Sequence, residues 1–347
     1  MTEIIPLSKS ALERIPERVR PSHKALPLGL DEGGEVVWLP FHSNNLVLAG
    51  MPGTGKSATE TNILCQLAQV PNAAVIVIDA LIVEGKQFEK RASFVSRGRC
   101  CGDIVARLVW EEGNRRIALM ERDGIRKITP EMASEFPTIT VVIDEAAAQF
   151  IDPDDPKHNS GMDNETFKYT RKIVAEQRKT GHNVILATQR PDNTTVPTQL
   201  RNIMNQRIVH GLDRASDVDM ILGQGKSDLA PAHLLTTKEL GVGYLMSSED
   251  RAKPTKFRSS LIFNNAEREA VLSNPDATRA LKEIALNYPS VEEVMSATEH
   301  LRVPLDFLDN SAELQEHLAE HDALTARILA AEDEKQRRIG ASLPAGL

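Results

Sequence analysis

The run Gly50-Met51-Pro52-Gly53-Thr54-Gly55-Lys56-Ser57 has the residue types of a loop that wraps a phosphate. Its glycines let backbone N–H groups turn inward around a β-phosphate, and a helix beginning at Lys56 would add a favourable dipole. Lys56 would reach the β- and γ-phosphates, and the Ser57 hydroxyl would hold Mg²⁺. Far along the chain, an apolar run closes on Asp144-Glu145. Asp144 would orient the Mg²⁺ shell, and Glu145 would polarise an attacking water. A carboxylate in that second position separates ATP-hydrolysing machines from proteins that only bind nucleotide. The third element is Leu186-Ala187-Thr188-Gln189-Arg190-Pro191, where Gln189 would sense the γ-phosphate or help place the water. Each has a plain alternative: a chance match in a loop, an acidic pair ending a strand, a polar strand cap. The expected ligands are ATP and Mg²⁺.

Such residues need rigid elements beneath them. Asn45-Leu46-Val47-Leu48-Ala49 reads as a buried strand running into the glycine-rich loop, and Ser57 to Val70 as the helix that follows it. Continuous apolar strands recur at 73–79, 138–145, 183–189 and 206–210, with helices at 104–123 and 164–180, the last ended by Gly181. Apolar strands alternating with helices predict an α/β fold with a mostly parallel, doubly wound sheet. Ahead of it, Glu32-Gly33-Gly34 separates two short runs within 29–41, a hairpin signal. The expected organisation is an N-terminal arm (1–24), a motor domain (25–263) and an acidic helical C-terminal region (264–347). In that last region Leu314, Leu318, Ile328 and Leu329 form a stripe on a final helix ending near Arg338.

The net charge of −8 over 347 residues is unevenly spread. Residues 264–347 carry eight Lys/Arg against sixteen Asp/Glu, so residues 1–263 hold 33 of each sign. The acidic balance therefore says nothing against a nucleic-acid surface in the first three quarters. Lys86 to Lys127 holds eleven basic residues against six acids, with Lys86, Lys90, Arg91, Arg97 and Arg99 clustered in a loop. They are candidates for phosphate contacts, against the alternative of a solvated basic surface. No apolar run of membrane-spanning length and no signal-like N-terminus is present, and three cysteines show no disulfide or zinc spacing. A cytoplasmic location without a membrane span of its own is the expectation.

The order of these pieces resembles the FtsK/SpoIIIE-type DNA translocases. The likeness runs from Leu28-Gly29-Leu30-Asp31 through the P-loop, Val77-Ile78-Asp79, Arg115-Arg116 and Gly124-Ile125-Arg126. It continues through Gly181 to Pro191, Ile221-Leu222-Gly223-Gln224-Gly225 and Gly241-Val242-Gly243-Tyr244-Leu245, covering roughly 27–263. Ala187 to Pro191 is its most specific part. The resemblance implies a RecA-like motor that assembles as a homo-hexameric ring around double-stranded DNA. ATP would lie between subunits, touched by an arginine from the neighbour; Arg207 is the first candidate and Arg214 the second, with surface or ion-pair roles as alternatives.

Departures from that family pattern shape the expectation. Asp79-Ala80-Leu81 stands where many members have Asp-Pro-Lys, extra residues lie between Ile151 and Asp163, and no basic recognition helix follows the motor. This points to a relative encoded by a plasmid, an integrative element or a phage, acting in conjugative transfer, segregation or packaging, with room for a membrane-protein partner. A protein-secretion ATPase of the type VII kind and a nucleotide-switched assembly protein are the competing readings.

Overall fold

The computed structural model describes residues 19–79, 85–96, 98, 101–151, 163–189, 191, 196–247, 249–250 and 252–341. Strands β1 (Ala25–Leu30) and β2 (Val36–Pro40) form the expected hairpin, starting four residues earlier than the sequence suggested. Its turn is organised by Asp31, whose carboxylate accepts the N–H groups of Gly33 and Glu35 at 2.8 and 2.9 Å. Strand β3 (Leu46–Ala49) enters the glycine-rich loop and helix α1 (Lys56–Ala68) leaves it. Strand β4 (Ala73–Asp79) and the two-residue β5 (Phe94–Val95) precede the long α2 (Gly102–Asp123). Strand β6 (Thr138–Asp144) runs into the short α3 (Ala146–Phe150), and α4 (Glu165–Glu176) leads to β7 (His182–Thr188).

After β7 come α5 (Thr198–Arg201), β8 (Gln206–Val209), α6 (Ala215–Leu222), β9 (Val242–Met246) and β10 (Thr255–Ser259). Helices α7 (Asn265–Ser273), α8 (Arg279–Asn287), α9 (Val291–Thr298), α10 (Asp306–Asp309) and α11 (Ala312–Ala341) complete the chain. Helix α4 stops short of the expected boundary, and Gly181, at φ 79°, turns the chain into β7 instead of capping a helix. Residues 152–162, most of the expected extra loop, lie outside the described residues.

Among the described residues ten strands form one sheet in the order β2-β1-β10-β9-β8-β3-β7-β6-β4-β5. Strands β8, β3, β7, β6, β4 and β5 are parallel, while β9, β10, β1 and β2 add antiparallel on the β8 side. The parallel part is the doubly wound sheet foreseen; the antiparallel extension through β9 and β10 was not. Alternate residues feed two cores. Val47, Ile76, Val141 and Val184 pack on the face covered by α2, α4 and α6, and Leu46, Leu48, Val142 and Ile185 on the face covered by α1. Residues from the last quarter join both: Val291, Val294 and Met295 of α9 lie beside α1, while Leu305, Leu308 and Leu314 pack on the other side. The stripe foreseen on α11 divides, because Leu314 is buried and Leu318 partly buried against the core, whereas Ile328 and Leu329 are more than half exposed.

Parallel strands align their carboxyl ends. Ala49 sits in register with Thr188 on one side and Val209 on the other, and Asp79 with Asp144. Open α/β sheets bind ligands beyond those ends.

Candidate active site

The glycine-rich loop hangs from the strands beside it. Gly50 N–H donates to the Thr188 carbonyl at 3.2 Å and Met51 N–H to that of Gly211 at 2.9 Å. Inside the loop, the Thr54 amide and hydroxyl both donate to the Met51 carbonyl. Gly55 adopts φ 112°, and a Cβ there would lie 2.6 Å from the Gly241 Cα. Only glycine tolerates both the dihedral and the contact. Gly241 N–H in turn donates to the Thr54 carbonyl at 3.1 Å, so the start of β9 braces the loop. No side chain caps α1 at Gly55. Its first N–H groups lack intrahelical acceptors and, with the helix dipole, make a ready site for phosphate.

Lys56, only 5% exposed, places Nζ 2.9 Å from Asp144 Oδ1 and 3.5 Å from Glu60 Oε2. Burial works against its charge, but Glu60 and Asp144 prevail and hold the ammonium above the ordinary lysine range. Asp144 Oδ1 also accepts the Glu145 N–H at 2.8 Å. Glu60 is buried one helical turn beyond Lys56; burial and the Asp144 charge push its carboxyl up to about 8, with Lys56 opposing. Ser57, exposed, borders with Glu60 and Asp144 a small cavity otherwise walled by Thr61, Leu64, Val77, Gly85 and Phe88. Two hard oxygen donors at one cavity are the chemistry Mg²⁺ takes, so the residues fit that ion.

Glu145 occupies a backbone conformation rare for anything but glycine, asparagine or aspartate, φ 47° and ψ 67°, at the start of α3. Such strain collects at functional positions. Here it turns the carboxylate back toward β7, within 3.3 Å of the Gln189 N–H and 3.4 Å of the Thr188 hydroxyl. Burial leads the rise of its pKa above the usual carboxylate range, with Asp144 adding to it; Lys56, Gln189 and Thr188 pull it down. Thus Lys56, Asp144, Glu145 and Gln189, separated by up to 133 positions in the chain, converge beyond the ends of β3, β6 and β7.

Three participants escaped the sequence reading. Glu60 carried a signal in its i, i+4 spacing from Lys56 on a helix. Thr188 lies inside the third motif, but its residue type there assigns it no role of its own. His210 gave no signal: it is fully buried, joining the Thr59 hydroxyl at 2.9 Å to the Val242 carbonyl at 2.8 Å. Burial, opposed by the Val242 bond and aided by Lys56, brings its pKa down to about 4, so a neutral imidazole ties α1 to β9 below the loop.

The candidate arginines differ in setting. Arg207 donates to the carbonyls of Ile221 and Arg201 at 2.7 and 3.1 Å, fastening α6 to the sheet. Arg214 is exposed at the start of α6. The basic loop needs a correction. Arg91 is 1% exposed, with Nε donating to the Ala68 carbonyl and Nη2 to those of Val70 and Ala73, so it cannot meet a DNA phosphate. It neutralises carbonyls at the end of α1, a core task that its charge concealed. Lys86 and Lys90 are exposed, Lys90 reaching Ser296 of α9; Arg97 and Arg99 lie outside the described residues.

Residues 10–222 match the model of the FtsK/SpoIIIE family. Similar curated proteins include the DNA translocase FtsK of Staphylococcus aureus, 24% identical over 245 residues, and that of Listeria monocytogenes, 24% identical over 324. The match takes in 64% and 86% of this chain but only 30% and 40% of those proteins' lengths. Among solved structures, the pCW3 conjugation coupling protein TcpA, in a monomer form with ATPγS, superposes with a TM-score of 0.59 at 21% identity, over 71% of this chain and 69% of its own. The cytoplasmic domain of the Thermomonospora curvata type VII secretion ATPase EccC gives 0.56 at 16% identity, over 84% and 33%. At these identities the structural likenesses show a shared RecA-like P-loop fold. No helix among the described residues is long and apolar enough to cross a membrane.

Proposed function

The chain belongs to the FtsK/SpoIIIE family, and on that premise we propose that it is an ATP-hydrolysing motor that moves double-stranded DNA. The carrying observation is the convergence of Lys56, Asp144, Glu145 and Gln189 at one end of the sheet. Backbone N–H groups of Gly53 and of Gly55 to Ser57 cradle the phosphates, and Lys56 leaves Asp144 to neutralise the β- and γ-phosphates. Ser57 and Asp144 would hold Mg²⁺, which would supply charge neutralisation at the phosphate oxygens. Glu145 accepts the proton of the attacking water, and Gln189 orients that water or reads the γ-phosphate. The strained backbone at Glu145 supports this role, since it holds the carboxylate toward the β7 side of the cluster instead of letting it extend along β6.

In a homo-hexameric ring the nucleotide lies between subunits and takes an arginine from the neighbour. Arg214 leads Arg207 as the candidate, because it is exposed while Arg207 binds two backbone carbonyls of its own chain. Contacts to DNA are to phosphates, Lys86 and Lys90 among them, so that movement is indifferent to sequence. Conjugative transfer is the favoured setting, supported by the FtsK-like core and the fold shared with a conjugation coupling protein; a membrane-protein partner would anchor such a motor. The test is ATP turnover by the purified protein with and without duplex DNA. Turnover should rise with DNA and vanish in Lys56→Ala. Equal rates with and without DNA would remove DNA as the cargo, and unchanged turnover in Lys56→Ala would remove the P-loop mechanism itself.

A further inference from the structure

Glu60 has no part in the reaction as described, yet it is buried against two residues that do. It borders the small cavity with Leu64, Val77 and Phe88 and with the polar Ser57, Thr61 and Asp144, and burying a carboxyl there is costly. Its Oε2 lies 3.5 Å from Lys56 Nζ, and with Asp144 it borders the same cavity. Lys56 therefore has two holders in the resting protein, at 2.9 and 3.5 Å. Asp144 cannot keep the ammonium and also serve Mg²⁺, because the two cations compete for one carboxylate. Glu60 comes from the helix that carries Lys56, so it moves with the lysine and stays beside it when Asp144 lets go.

We propose that Glu60 is a positioning residue that keeps Lys56 tied to α1 and thereby frees Asp144 for the metal when nucleotide binds. The inference rests on the assignment of Gly50 to Ser57 as the nucleotide site. Without Glu60, Asp144 is left as the holder of Lys56, and metal coupling suffers while the phosphate cradle remains.

The experiment measures the affinity of a fluorescent ATP analogue with and without Mg²⁺ in the full chain, for wild type, Glu60→Leu, Glu60→Gln and Lys56→Ala. Leucine packs beside Leu64, Val77 and Phe88; glutamine keeps two hydrogen-bonding atoms in place. In Glu60→Leu the factor by which Mg²⁺ tightens binding should fall about tenfold, the worth of one charge-assisted hydrogen bond, while metal-free affinity is unchanged or improved. Glu60→Gln should keep most of the wild-type factor. A purely structural lesion would weaken both affinities together, and that result overturns the proposal. So does an unaltered Mg²⁺ factor in Glu60→Leu, or a Glu60→Gln protein that behaves like Glu60→Leu. Failure of the nucleotide site itself is read separately, from a Lys56→Ala protein that binds as well as wild type.

Discussion

Arg91 offers a direct contest between charge as a surface property and charge as a core staple. Replacing it by methionine leaves the α1-terminal carbonyl of Ala68 and those of Val70 and Ala73 without the donors now at 2.8, 3.2 and 3.1 Å. Two buried acceptors deprived of this donor, and a third, Val70, left with only the Ala73 N–H at 3.3 Å, cost about 5 kcal/mol together. Against this, the guanidinium is itself disfavoured by burial, which brings its pKa down to about 10; removing it returns about 3 kcal/mol. Its Nη1 finds no hydrogen-bond partner among the described residues, which agrees with a charge held at some expense. The difference is a net loss of about 2 kcal/mol, or roughly 3 °C in melting temperature for a protein of this size. Urea and thermal unfolding of Arg91→Met measure it, while fluorescence anisotropy on a labelled duplex across a salt series measures DNA affinity. Affinity and its salt slope should stay at wild-type values, since one lost phosphate contact would lower the slope by about 0.9. Unchanged stability together with a shallower salt slope would refute the staple and restore Arg91 to the surface.

Three further outcomes follow from the site. Glu145→Gln should bind ATP with near wild-type affinity yet hydrolyse it about 10²–10⁴-fold more slowly; single-turnover assays that show less than a tenfold drop would exclude Glu145 as the base. Gly55→Ala sets a methyl group against the Gly241 backbone at φ 112°, so nucleotide binding should be lost while the circular dichroism spectrum is kept; retained binding would mean the loop can move away from β9. Glu60 titrates at about 8 when folded against 4.5 in its ordinary state. Between those values the folded protein holds a proton the unfolded chain has released, so this group's contribution to stability declines as pH rises. Glu60→Leu should gain stability over wild type as pH goes from about 5 to about 9, and parallel stability curves for the two proteins would contradict the shift.

Local chemistry made much of this protein legible. A phosphate loop must be glycine-rich whatever surrounds it, and strands buried on both faces must be continuously apolar, so β3, β4, β6 and β7 and the residues at their ends stand out in the chain. Strands β9 and β10 escaped because Val242-Gly243-Tyr244-Leu245-Met246 and Thr255-Lys256-Phe257-Arg258-Ser259 are short, and one carries a glycine, the other two charges. They become strands by pairing with β8 and with each other, a property of neighbours and not of composition.

The same distinction runs through the site. Lys56, Asp144, Glu145 and Gln189 announce themselves by motif, because their chemistry constrains residue type. Whether a charged residue faces solvent or the interior is decided by what packs over it. Arg91 looked like its basic neighbours until the end of α1 closed on it, and Glu60 looked like any helical glutamate until β6 brought Asp144 beside it. Sequence alone determined which groups can bind and cleave a phosphate; tertiary structure decided which charges are spent inside the protein and which remain for a partner, because burial and pairing arise only when distant segments meet.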